Sequence, residues 1–406
     1  MVCRHECGSA VTIVLRAPAS WFVGMSVVPL SLYVHLPWCV QKCPYCDFNS
    51  HTAGTETPKR RYINALLKDL EAEAKLAKGR EIRTVFLGGG TPSLFSPDEI
   101  DDVLTGVRAL FDLAADAEIT MEANPGTVEC GSPAGYRDAG VNRLSIGAQS
   151  FDDQLLSTLG RIHSSADSVS AVEGARAAGF DNINIDLMHG LPGQSIDRAL
   201  ADLSAAIDLE PAHVSWYQLT LEPNTVFYAR PPANLPSDDL AFEIQDRGQA
   251  LLAKHGYEQY EVSAYAKDGR HCEHNLNYWL FGDYLAAGAG AHGKVTGDKG
   301  IGRYQKPANP MQYMQVQEQA GGAAELSMLS PADLMFDFML NALRLNGGFT
   351  ENVFEQRTGL SSTDLIEAAR PALKKGLIER SEPGVWRPTE LGGRFLNDLQ
   401  SEFLKD

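Results

Sequence analysis

The sequence predicts an α/β protein: an incomplete TIM-like (β/α)6 barrel, followed by a smaller winged-helix-like α+β domain. Three observations carry that expectation. Strand-like and helix-like segments alternate from about residue 32 to 254, the rhythm of a parallel sheet, whose strands need long crossovers. The strand runs are short, β-branched or aromatic, and stopped by Gly or Pro, as buried strands are. From about residue 330 the rhythm gives way to helices and a hairpin. A doubly wound open sheet is the competing arrangement.

The first strand is Leu32-Tyr33-Val34-His35-Leu36, closed by Pro37. Thr84-Val85-Phe86-Leu87 ends at Gly88, and Glu118-Ile119-Thr120-Met121-Glu122 ends near Asn124-Pro125-Gly126. Strands at 143–146, 183–187 and 213–220 end at Gly147, before Gly190 and before Pro223. A helix at 59–78 carries Tyr62, Leu66, Leu67 and Leu70 on one face. The helix at 97–111 has Ser96 as N-cap and Pro97 in its first turn. The helix at 166–178 stops at Gly179, and further helices span 195–209 and 237–254. Beyond 256, residues 257–264 read as a strand and the Gly-rich 282–302 as loop. Helices at 331–344, 350–358 and 362–375 precede Leu377-Ile378-Glu379-Arg380 and Val385-Trp386-Arg387, a hairpin around Pro383-Gly384. The expected organisation is an extension over 1–24, the barrel over 25–256, a connecting segment over 257–329 and the C-terminal domain over 330–406.

The 406 residues are 44% hydrophobic and 21% charged, an ordinary globular composition that argues against disorder and coiled coil. No run of about 18 uncharged apolar residues exists, which excludes a transmembrane helix. The net charge of −17 opposes non-specific binding to nucleic acid, so the winged-helix-like module reads as structural or as a partner surface. In the N-terminal region an apolar run at 11–15, ended by Arg16, is too short for a signal-peptide core, although Ala17-Pro18-Ala19 mimics a cleavage site. Met25 directly precedes the first strand signal and is a candidate natural start. Seven cysteines, at 3, 7, 39, 43, 46, 130 and 272, are too unevenly placed for a disulfide scaffold. Cys3 and Cys7 repeat the spacing of Cys39 and Cys43 but have no third cysteine nearby, so chance is the better reading.

The strongest chemical signal is Cys39-x3-Cys43-x2-Cys46, directly after the first strand. Zinc wants a fourth ligand, and none lies close in sequence. Iron–sulfur clusters are held by thiolates, and three on one loop can hold three irons of a cubane while leaving the fourth open to chelate an amino acid. The loop's place fits, because parallel-barrel sites form at the C-terminal ends of the strands. Gly88-Gly89-Gly90-Thr91-Pro92 follows the second strand and offers bare backbone to a ligand. Glu122, Gln149 and Asp186 sit at or near strand exits, where they cap loops or line a site, and Arg161 can pair with a ligand carboxylate.

Together these residues resemble the radical S-adenosylmethionine superfamily, most nearly the branch of oxygen-independent coproporphyrinogen III oxidase and its heme-chaperone relatives. The resemblance covers about residues 30–400. It includes Tyr33 to Cys39, the cysteine loop, Gly88 to Pro92, Met121-Glu122-Ala123-Asn124-Pro125, Gly147-Ala148-Gln149-Ser150 and the run from Asp186 to Gly193. It implies that Cys39, Cys43 and Cys46 hold a [4Fe-4S] cluster. It implies S-adenosylmethionine contacts at Tyr33, Tyr45, Gly89, Gly90, Thr91, Glu122, Gln149, Arg161 and Asp186. In this superfamily one electron from the reduced cluster cleaves S-adenosylmethionine to a 5′-deoxyadenosyl radical, chemistry that implies a reducing, cytoplasmic setting.

Two further features weigh between the members of that branch. The oxidases carry another cysteine two residues past the third, where this chain has Phe48; Asp47-Phe48-Asn49-Ser50 looks like the chaperones. His274-Asn275-Leu276-Asn277-Tyr278-Trp279 has the H-N-x-x-Y-W form of the heme-chaperone group. The resemblance implies heme binding there, with His274 a candidate iron ligand and Tyr278 and Trp279 offering aromatic faces. His271 and Cys272 are rival ligands, a small zinc site is a third reading, and a loop entering a buried strand is the plain structural one. The segment is expected to cover the open rim of the barrel.

The implied function is a heme chaperone that binds a [4Fe-4S] cluster, S-adenosylmethionine and heme and passes heme to an acceptor protein. The alternatives are the coproporphyrinogen oxidase or a heme-cleaving methyltransferase of the same superfamily. A nucleic-acid-modifying radical enzyme is disfavoured by charge. An electron donor is an expected partner if S-adenosylmethionine is cleaved, and peripheral membrane contact stays open.

Overall fold

The computed structural model describes residues 28–126, 132–320, 325–381 and 384–404. The extension over 1–24 with Cys3 and Cys7, Met25, Cys130 and Pro383 lie outside the described residues.

The six expected strand runs become β1 (Leu30–Leu36), β2 (Ile82–Gly89), β3 (Leu113–Ala123), β4 (Arg143–Gln149), β5 (Ile183–His189) and β6 (His213–Gln218). They lie side by side in chain order and all pair in parallel. The register sets Leu32 beside Val85, Val85 beside Ile119, Leu144 beside Ile183 and Ile185 beside Val214. These aliphatic side chains are buried in one core with the apolar faces of the crossover helices. Helix Lys59–Ala77 presents Tyr62, Leu66 and Leu70 to that core, as its periodicity predicts, and Leu67 stands at its edge. Helix Pro97–Leu110 starts with a reciprocal capping box between Ser96 and Glu99, a feature worth about 1 kcal/mol. The doubly wound alternative is not what forms: the strands are neighbours in sequence order, as in a barrel.

The sheet is larger than the sequence suggests. Residues 282–302 are not loop: β9 (Asp283–Ala287) joins β1 as a seventh parallel strand, and β10 (His292–Gly297) and β11 (Gly300–Gln305) form an antiparallel hairpin on it. The glycines that flank β9, Gly282 and Gly288, hid it, and the second is what its position demands. Gly288 has φ +107°, and a Cβ there would stand 2.4 Å from the carbonyl oxygen of His35. On the far edge the expected strand at 257–264 is two, β7 (Glu258–Glu261) and β8 (Ala264–Ala266), antiparallel to each other, with β8 antiparallel to β6. The H-N-x-x-Y-W segment is not a loop into a strand but a short helix, Glu273–Trp279.

A second core holds helices Pro331–Ala342, Glu351–Thr358 and Ser362–Lys374 with the hairpin Ile378–Ser381 and Val385–Pro388. Phe349–Thr350 adds a third strand, and fully buried Trp386 donates from Nε1 to Glu351 at 2.9 Å. Phe281 and Ile301, which precede these helices in the chain, belong to the same cluster and fasten it to the barrel edge. Among the described residues no helix is long and apolar enough to cross a membrane.

Candidate functional site

The cysteine loop is held rigidly at the C-terminal rim of the barrel. Trp38–Cys39 pairs in parallel with His51–Thr52, so the loop leaves and returns at one point. Within it, Lys42 Nζ donates to the carbonyls of Phe48 (3.0 Å) and Ser50 (3.3 Å), and Cys46 N donates to Cys43 O at 3.2 Å. From outside, Gln41 donates to Gly160 O, Phe227 N to Pro44 O, and Asn49 Nδ2 to the carbonyls of Ala289 and Ala308. Four separate segments of the chain therefore fix this one loop. The three thiols are all half-buried and none is in a disulfide.

The thiols face a cavity of about 370 Å³. Cys39, Cys43, Cys46 and Tyr45 line it, together with Gly89, Gly90, Thr91, Glu122, Gln149, Arg161 and Asp186. The structure thus brings eleven of the expected cluster and S-adenosylmethionine positions to one place. Tyr33 is the exception. It lies inside the barrel with its hydroxyl 3.0 Å from His35 Nδ1, near enough for Glu122 to reinforce the upward push of burial on its phenol. The sequence reading missed Tyr217, whose hydroxyl donates to Gln149 Oε1 at 2.7 Å, and Ser145, which donates to Asp186 at 3.0 Å. Tyr217 sits at the exit of β6, so the logic that selected Gln149 would have found it.

Electrostatics divide the cavity. Arg161 puts Nη1 3.5 Å from Cys43 Sγ and donates from Nη2 to Asn124 Oδ1 and Gly147 O. Opposite, burial and then Asp186 push Glu122 up to about 8, against the hydrogen bond it accepts from Gly89 N at 3.0 Å. Asp186 accepts hydrogen bonds from Ser145 and Asn184. Gln149 has φ +67° at a register shift between β4 and β5, a strained conformation that turns its amide into the cavity. The glycines of the loop after β2 are required by the protein's own packing. A Cβ on Gly89 (φ +122°) would meet the His35 ring at 2.6 Å, and one on Gly90 the Trp38 carbonyl at 2.6 Å.

The donor set fits a cubane better than a single ion. Among the described residues no three His, Cys, Asp or Glu side chains close on one point as a mononuclear metal requires. Three thiolates of a cubane go to three different irons and stand farther apart, and here they rim a cavity with room beyond them. The cation at Arg161 and the acids at Glu122 and Asp186 suit a ligand that carries both an amine and a carboxylate.

The H-N-x-x-Y-W helix closes the other end of the barrel, not the open rim. His274 is 1% exposed. Its backbone N–H donates to Glu118 Oε1 at 3.1 Å, and its Nδ1 lies 2.8 Å from Thr84 Oγ1. Thr84 gives its own proton to Ser31, so Nδ1 is the donor and Nε2 accepts from the Tyr278 hydroxyl at 3.2 Å. Burial drives His274 down to about 3. Asn277 donates to Ser31, at the start of β1. The His274 ring packs on Phe86 at 5.1 Å and on Tyr278 at 4.9 Å while these hydrogen bonds satisfy the strand-entry groups, which is why the segment docks there. Trp279 lies apart from the other two, under the Arg344 guanidinium at 4.3 Å. His271 stacks on Tyr260 at 4.1 Å with Nε2 unpartnered, and Cys272 is buried and pushed up to about 12.

Comparison with known proteins agrees with this geometry. A family model described as the Radical SAM superfamily matches residues 33–204, and one described as the HemN C-terminal domain matches 329–395. The heme chaperone HemW of Escherichia coli (strain K12) is 49% identical over 380 residues, 93% of this chain and 99% of its own. The chain belongs to the HemW family. The HemW of Haemophilus influenzae is 47% identical over 93% of this chain and 98% of its own, and that of Bacillus subtilis 32% over 91% and 100%. The solved structure of the Escherichia coli coproporphyrinogen III oxidase HemN, described as a radical SAM enzyme, superposes with a TM-score of 0.78 at 26% identity, covering 93% of this chain and 91% of that one. The family therefore brings a [4Fe-4S] cluster and S-adenosylmethionine to this fold. When bound, that pair supplies one-electron cleavage chemistry, while the chain's own residues hold, orient and shield it.

Proposed function

We propose that this protein is a heme chaperone: it binds the cluster, S-adenosylmethionine and heme, and hands heme to an acceptor protein. The observation that carries the reading is the 49% and 47% identity to proteins named heme chaperone over nearly the whole chain. Phe48 supports it, since the oxidase branch is expected to carry a cysteine there and this side chain is 61% exposed at the mouth of the cavity. The coproporphyrinogen oxidase and methyltransferase alternatives are disfavoured on the same grounds.

Within this reading Cys39, Cys43 and Cys46 hold the cluster. Tyr45, Gly89, Gly90, Thr91, Glu122, Gln149, Arg161 and Asp186 surround S-adenosylmethionine, with Tyr33 beneath them. His274, Tyr278 and Trp279 contact heme. For His274 to bind iron, its Nε2 must be released by Tyr278. The barrel over 25–256, extended by the strands of the expected linking segment 257–329, and the domain over 330–406 act as the units of the molecule. The setting is the cytoplasm, and an electron donor takes part if S-adenosylmethionine is cleaved.

The test is an anaerobic incubation of the reconstituted protein with coproporphyrinogen III, S-adenosylmethionine and reductant, beside a heme titration. Stoichiometric heme binding without formation of protoporphyrinogen IX is the expected result. Robust product formation would return the oxidase reading to the front.

A further inference from the structure

The C-terminal domain meets the barrel edge over a group of cations that the cofactor site does not use. Asp283, at the start of β9, is fully buried and its carboxylate is saturated. Oδ1 accepts from Lys294 Nζ and Thr296 Oγ1, each at 2.9 Å; Oδ2 accepts from Arg80 Nη1 at 2.8 Å and Thr296 N at 2.9 Å. Arg357, in the last turn of helix Glu351–Thr358, lies near enough to feel the charges of Asp283 and Arg80. Yet it makes no hydrogen bond or ion pair to any described residue, is 7% exposed, and has Nε and Nη1 buried without a partner. Arg80 Nε is unpartnered as well. Arg303, beside Lys294, is balanced by Asp337 at 2.8 Å. Arg80 and Lys294 both donate to one carboxylate, and Arg357 stands within reach of its charge with no partner of its own among the described residues.

A buried charge persists when it is paired, and a guanidinium fork matches the geometry of an oxyanion. We propose that this seam is an oxyanion-binding site, with Arg357 as the principal donor and Arg80 beside it. Two sources share that chemistry: free inorganic phosphate and the side-chain carboxylates of a porphyrin. The second rests on the heme reading above. Tyr278 links the two regions, since its ring meets Tyr284 edge-on at 4.4 Å and the Tyr284 phenol feels Arg303 and Asp337.

The full-length protein is titrated with inorganic phosphate at constant ionic strength while its thermal midpoint is followed, in wild type and in Arg357→Met. Phosphate should raise the wild-type midpoint by a few degrees and leave that of the variant nearly unmoved. Without phosphate the variant should be no less stable than wild type, because it loses an unpaired buried charge. Arg357→Lys keeps the charge without the fork; it should show a reduced shift, and it serves if the methionine variant does not fold. In a second arm, heme and its dimethyl ester are titrated. If porphyrin carboxylates occupy the seam, esterification weakens wild-type binding about tenfold and leaves Arg357→Met unaffected. A response to phosphate alone assigns the site to the free anion. Equal responses of wild type and variant in both arms, or no wild-type response in either, overturn the site. Failure of the wild type to bind heme at all overturns the chaperone reading instead, and the phosphate arm still decides the seam.

Discussion

Arg161 Nη1 lies 3.5 Å from the sulfur of Cys43, while its Nη2 donates to Asn124 Oδ1 at 2.7 Å and Gly147 O at 2.9 Å. One guanidinium thus ties the cysteine loop to the exits of β3 and β4. Arg161→Met should cost about 2 kcal/mol of stability in urea unfolding, the scale of a hydrogen bond to a charged group. It should also lower the iron bound per chain after reconstitution. Iron loading equal to wild type would show that the arginine does not support the cluster.

The cysteine loop itself is tested by replacing Cys39, Cys43 and Cys46 together with alanine. The triple variant should lose about four irons and four sulfides per chain, the complement of a cubane. Persistence of the broad visible absorption and of iron content would remove the cluster from this loop.

Glu122 makes the stability of the cofactor-free protein depend on pH. Its folded value, about 8, is above its ordinary one, first through burial and then through Asp186. Between those values the folded state holds a proton that the unfolded state releases. Glu122's contribution is therefore fully present at acid pH and is lost as pH rises toward 8. Glu122→Gln should flatten that part of the profile, read as the urea midpoint from pH 5 to pH 8. An unchanged slope in the variant would assign the dependence elsewhere.

Lys306 holds the seventh strand in place through two acids. Its Nζ donates to Asp69 at 2.6 Å and Glu73 at 2.8 Å, all three side chains being at most 1% exposed. The same acids accept from Gly288 N and Ala286 N beside β9. Lys306→Met strands both carboxylates, and a loss of about 3–5 kcal/mol is expected. Lowering the pH should recover part of it by protonating them. A loss below about 1 kcal/mol in calorimetry would mean that water already shares the site.

His274→Ala should destabilise the protein by about 2–4 kcal/mol, since it vacates a buried position and leaves Thr84 and Tyr278 without their partner. On the heme-ligand reading it also shifts the heme spectrum while cluster absorption stays constant. Lower stability with an unaltered heme spectrum would make His274 a floor residue alone and move the search to His271.

Much of this arrangement is legible in the chain before it folds. Parallel strands such as Leu32 to Leu36 are buried on both faces and so announce themselves by composition. Because each ends at the same rim, strand-exit residues such as Glu122, Gln149 and the Cys39–Cys46 loop must converge. Capping obeys local rules, as at Ser96 and Glu99. What escaped the sequence depends on packing between distant segments. β9 is short and lies between Gly282 and Gly288, and Gly288 is pressed against the His35 carbonyl at the end of β1, so the region carried the local signature of a loop. The helix holding His274 and Tyr278 is seven residues long, too short for periodicity to declare it, and only its docking on Ser31, Thr84 and Glu118 decides that it seals the barrel floor. Arg357 reads as an ordinary helix-end cation. That it is buried, within reach of the charges of Arg80, Lys294 and Asp283, follows from which faces of the two cores meet, a long-range choice that no local pattern encodes.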